Sequence, residues 1–165
     1  MSDGVSTTRP LVLVLLAAFL LAALPGISHP FENSPSLPDI KGWSSGVITT
    51  TELESPSGNQ GIWLERTYSR ITDRHRILVI VLEGPGTSWS GLPEAPVSAD
   101  DGLIGSGATY RTTTVAGFPA AIENHPLTGS SLTVTVAVDE TFTFETAFDD
   151  VDLENFAGEF LKDII

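Results

Sequence analysis

The 165-residue chain contains no cysteine and only one methionine. Without cysteine there is no disulfide framework, iron–sulfur cluster, thiolate zinc site, thiol nucleophile or lipidated N-terminal cysteine. Positive charge is also scarce: eight Lys plus Arg stand against 21 Asp plus Glu, a formal net charge of −13. Docking on a phosphate backbone needs a basic face, so nucleic acid is excluded as a partner of the usual kind. Long apolar runs are few, and the clearest lies near the N-terminus.

Residues 11–24 read LVLVLLAAFLLAAL behind Arg9, and Pro25-Gly26 ends the run. A membrane-spanning helix takes about 20 apolar residues, whereas the hydrophobic part of a secretory signal takes about 7–15. The length fits a signal peptide over residues 1–28, with small Gly26 and Ser28 flanking Ile27 before the cut. The competing reading is an N-terminal membrane anchor, with residues 11–27 crossing a thin bilayer and Arg9 on the cytoplasmic side. Both readings place the rest of the chain in an exported, periplasmic or extracellular, space. Membrane association then runs only through residues 11–27, where that segment is retained.

Residues 29–45 carry three prolines and little periodicity, which reads as an extended linker docking through Leu37, Ile40 and Trp43. A single α+β domain is expected over 46–165. Its strand signals fall at 46–54, 60–70, 77–82, 108–115, 120–125, 132–138 and 142–148. Residues 77–82, ILVIVL, are apolar at every position, as expected of a central strand buried on both faces. Residues 83–107 are rich in glycine and proline and predict a long irregular loop, a common place for function. In the last two strands the even positions are the apolar ones. Pairing Val138 with Phe142 on one face then calls for an odd-length loop of three or five residues.

The period changes at the C-terminus, where Leu153, Phe156, Ala157, Phe160, Leu161 and Ile164 make one apolar helical stripe. Asp152 is placed as N-cap and Val151 with Phe156 as a hydrophobic staple. Asp149, Asp150 and Glu154 fall where the helix dipole favours anions, and Lys162 where it favours a cation. Gly158 weakens the helix and is expected to allow close approach to the sheet. The fold class predicted is therefore α+β: an antiparallel meander of six or seven strands packed by one C-terminal amphipathic helix, after a hydrophobic leader helix.

Candidate chemistry is sparse. Arg66, Arg70, Arg74 and Arg76, with His75, gather around one predicted turn in an otherwise acidic chain. Such a cluster reads either as a solvated turn or as a site for a phosphate or carboxylate, held by bidentate hydrogen bonds. Asp150-x-Asp152-x-Glu154 has the alternation of a calcium loop, but Asn155 and Leu161 stand where that loop needs Gly and Glu. Gly86-Thr87-Ser88-Trp89-Ser90 lacks the last glycine of a nucleophile elbow, and the three histidines are scattered. No catalytic residue, metal site or cofactor is expected. Of the aromatic residues Trp43, Trp63, Trp89, Tyr68 and Tyr110, Trp89 in the irregular loop is the candidate binding residue.

Several short motifs occur together: Leu37-Pro38-Asp39-Ile40-Lys41-Gly42-Trp43, Arg66-Thr67-Tyr68, a T-V-x-G-x-P-A hairpin over 114–120, and a short C-terminal helix behind a leader. In this the chain resembles small secreted or membrane-anchored α+β domains of the bacterial envelope, including the Mog1/PsbP-like group of binding and assembly factors. The leader and the first motif also resemble exosortase-associated polysaccharide proteins. The resemblance implies an architecture and a compartment. The expected function is a non-enzymatic exported binding or assembly module for an envelope protein partner or acidic ligand. The alternatives are a carrier of a small apolar ligand between sheet and helix, or an accessory subunit of an export or polysaccharide system.

Overall fold

The structure, a computed structural model, describes residues 37–87, 92, 96–102 and 105–164. The expected leader over 1–28 and Trp89 lie outside the described residues. No helix among those described is long and apolar enough to cross a membrane.

Nine strands form one antiparallel sheet: β1 Trp43–Ser45, β2 Thr49–Ser55, β3 Gly58–Arg70, β4 Arg76–Glu83, β5 Ser98–Asp100, β6 Thr109–Val115, β7 Phe118–His125, β8 Gly129–Ala137 and β9 Glu140–Thr146. One helix, α1 Leu153–Lys162, follows. The architecture is the predicted α+β class, but with nine strands in place of six or seven. The two extra strands, β1 and β5, are three residues long and lie where proline and glycine break any periodic signal. β1 falls within the segment expected as linker. Neighbours in sequence are neighbours in space from β5 through β9, and β9 then returns to pair with β4. That return gives β4 a partner on each side, β3 and β9, which suits the most apolar strand.

The helix packs on one face of the sheet. Leu64 and Tyr68 of β3, Ile77, Val79 and Val81 of β4, Phe142 and Phe144 of β9, and Leu132 and Val134 of β8 are buried there against Phe156, Ala157, Phe160 and Leu161. Phe160 stands edge-on to Tyr68, Phe142 and Phe144, with ring centroids 5.3–6.0 Å apart. Alternate residues of β4, Leu78, Ile80 and Leu82, face the other side and are only half-buried. The expectation that β4 is buried on both faces is corrected: helical cover exists on one face, so the outer row stays partly open to water.

The β8–β9 register corrects a second expectation. Phe142 pairs with Val134, not with Val138, and Phe144 pairs with Leu132, all on the core face. The strands are joined by only Val138 and Asp139, however, and Val138 is 80% exposed. The register shifts between Thr135 and Ala137, and this bulge supplies the one-residue change of parity that a longer loop was expected to provide.

At the helix start, Asp152 accepts the Asn155 N–H at 3.0 Å, as its N-cap placement predicts. Gly158 does not serve close packing. A methyl group added there would meet nothing within 4 Å.

Candidate functional site

Two of the motifs that carry the resemblance form a single clamp. Arg66 and Tyr68 alternate with Thr67 on β3, so both point to the helix side near the sheet edge. Arg66 donates through Nη1 to the Leu37 carbonyl at 2.5 Å, through Nη2 to Asp39 at 2.9 Å and through Nε to the Gly46 carbonyl at 3.0 Å. The Tyr68 hydroxyl donates to the Pro38 carbonyl at 2.8 Å. Burial of the Tyr68 phenol raises its pKa, and the Ser45 hydroxyl followed by the Arg66 charge lowers that of Asp39. Leu37 and Ile40 are thereby held in the core, and Trp43 stands edge-on to Phe156 at 4.9 Å. Arg66, a sequence candidate for ligand binding, is committed to this internal role.

The turn between β3 and β4 brings Arg70, Asp73 and His75 together with Asp150, 80 residues away in sequence from Arg70. Arg70 Nε donates to both Asp73 oxygens at 3.0 Å, and Nη2 reaches Asp150 Oδ2 at 2.5 Å and His75 Nδ1 at 3.0 Å. The Arg70 hydrogen bonds, joined by one from the His75 backbone N–H, hold the Asp73 carboxyl down to about 2. The same guanidinium lowers the pKa of Asp150. Asp73, His75 and Asp150 each offer a ligand atom within 4.8 Å of the others, the spacing of a metal centre. Arg70 already pairs with both carboxylates and contacts the His75 ring nitrogen, so the arrangement reads as an ion-pair network. Asp150 belongs to this network, a role the sequence reading gave to the helix dipole.

The network also fixes one wall of a groove. His75 stacks flat on Phe148, with ring centroids 4.0 Å apart and planes 9° from parallel. Phe148 then lines an open groove of about 610 Å³ together with Thr67, Arg74, Arg76, Leu78, Thr128, Glu145 and Ala147. Thr67, Leu78 and Glu145 form one cross-strand row on the sheet face away from α1, and Arg76 begins β4 one pleat further on. Arg74 and Arg76 are exposed, and neither guanidinium makes a hydrogen bond or ion pair with another described residue. Arg74 adopts φ 68°, a left-handed conformation that costs an arginine about 1–2 kcal/mol relative to the right-handed one. Its backbone N–H bonds the Arg70 carbonyl at 2.9 Å and closes the turn.

The structure thus divides the arginine cluster. Arg66 and Arg70 are consumed internally, Arg74 and Arg76 face a groove, and His75 supports its wall. Arg111 likewise pairs with Glu154 on α1, lowering that carboxyl. Thr67, Leu78, Thr128, Glu145 and Phe148 were missed because they come from four separate segments. The one legible hint was the two-residue period of β4, which sends Arg76 and Leu78 to the same side. Comparison with protein-family models, curated proteins and solved structures finds no match.

Proposed function

We propose that this is a non-enzymatic exported binding module that docks an acidic group of an envelope protein partner at the Arg74–Arg76 groove. The observation that carries the reading is the pair of guanidiniums without partners among the described residues, lining one groove on a chain of net charge −13. A cation pair in such a field keeps its charge for something outside the fold, because Arg cannot be neutralised by losing its proton. The apolar run at 11–24 supports export, and the motifs over 37–43 and 66–68 support kinship with small envelope α+β domains.

The carrier alternative needs open space between sheet and helix. Phe142, Phe144, Phe156 and Phe160 are at most 2% exposed and linked by ring contacts there, which favours the binding module. The test is crosslinking of the protein in cells of its source, comparing wild type with the Arg74→Ala/Arg76→Ala double variant. A crosslinked partner lost in the double variant supports the reading. A partner retained at full yield, or none at all, overturns it. Mass spectrometry of the mature N-terminus tests export: an intact Met1 with cytoplasmic fractionation refutes it.

A further inference from the structure

The groove holds more than charge, and its remaining atoms narrow what can occupy it; this inference rests on the docking reading above. Two guanidiniums and the Glu145 carboxylate leave a local net charge of +1, which matches one negative group and rewards a polyanion little. Thr67 and Thr128 add hydroxyl donors near the guanidiniums. Leu78, Ala147 and Phe148 give an apolar floor and wall, with Phe148 pinned by His75. Glu145 stands directly across from Leu78, exposed and without a hydrogen bond to another described residue, and it accepts only.

A ligand that satisfies all of these from a single residue presents a carboxylate, an apolar side chain and an N–H donor together. The free end of a polypeptide has that arrangement: terminal carboxylate, last side chain and last peptide N–H. An internal Asp or Glu does not, because its carboxylate is carried away from the backbone and no apolar group shares its residue. A volume of about 610 Å³ lies in the range of about 300–1,000 Å³ typical of small-ligand sites, enough for a chain end of a few residues. We propose that the groove captures the C-terminal segment of a partner protein ending in an apolar residue. The carboxylate lies on Arg74 and Arg76, the last side chain on Leu78 and Phe148, and a backbone N–H donates to Glu145. Capture of a terminal carboxylate is an established mode of peptide recognition.

The experiment titrates the full chain into three fluorescein-labelled peptides and follows polarisation. One is a Gly/Ser-rich heptapeptide ending in Leu-Phe with a free carboxylate; the second is its C-terminal amide. The third is an amide-capped peptide of equal length with one internal Glu beside Phe. The free-carboxylate peptide is expected to bind at least about tenfold more tightly than the other two, with that preference lost in Arg76→Ala. Methylating the last peptide nitrogen of the free-carboxylate peptide is expected to weaken its binding to wild type and to make no difference in Glu145→Ala, where the acceptor is gone. If the internal-Glu peptide binds as well as the free carboxylate, the chain-end inference is overturned while acidic docking survives. If none of the three binds, both fail.

Discussion

Replacing Arg74 by glycine separates what this residue does for the fold from what it does for a ligand. At φ 68° an L-residue carries about 1–2 kcal/mol of conformational cost that glycine does not. Glycine, in return, adds freedom to the unfolded chain worth about 0.5–1 kcal/mol against folding. The guanidinium has no partner among the described residues, so its removal forfeits no internal bond, and the backbone bond to Arg70 is kept. The net expectation for Arg74→Gly is a gain of about 0.5–1 kcal/mol, a rise in Tm of roughly 1–4 °C for a chain of this size. Arg74→Ala keeps the left-handed backbone and loses only the side chain, so its stability stays within about 0.5 kcal/mol of wild type. Both variants are expected to lose the peptide binding proposed for the groove. Urea unfolding followed by tryptophan fluorescence and circular dichroism, with peptide binding measured in parallel, reads all three quantities. The reasoning is refuted if Arg74→Gly is no more stable than Arg74→Ala, or if both lose more than about 1 kcal/mol, since the arginine would then be holding the turn.

Other expectations follow from individual contacts. Gly158→Ala meets open space in α1 and removes a weak helix former, so it stabilises by about 0.5–1 kcal/mol in the same unfolding assay. Tyr68→Phe leaves the ring packing but deletes the bond to the Pro38 carbonyl, and costs about 1 kcal/mol with a looser 37–40 segment by hydrogen exchange. The Asp73 carboxyl is lowered to about 2 in the fold, against about 3.9 unfolded, so its contribution is full above the unfolded value and is lost as pH falls through that interval. Asp73→Asn therefore lowers Tm at pH 7, and the difference narrows toward pH 3. Glu140 has the opposite sign: burial first, then Glu83 and Asp139, raise its pKa, so its charged form burdens the fold above that pKa. Glu140→Gln raises Tm at pH 7, and the gain shrinks as pH falls toward 4.

Local information settled much of this molecule. The helix over 153–162 was legible because cap, staple and apolar stripe all lie within a dozen residues and agree with one another. The long strands were legible from alternation, and the α+β class followed from their order. A concentration of arginine near residues 66–76 was visible in the composition alone.

Tertiary structure alone decided the rest, because the deciding partners are remote in sequence. Parity between Val134 and Phe142 could be met by an odd loop or by a bulge, and only the register near Val136 showed which. β1 and β5 are strands because β3 and β6 offer them edges, not through any pattern of their own. Arg66 and Arg74 are chemically identical in the sequence. One is spent on the carbonyls of 37 and 46 because β3 points it toward the sheet edge, and the other has no partner among the described residues because a left-handed turn carries it over the outer face. Charge count is a property of the chain, but free charge is a property of the fold.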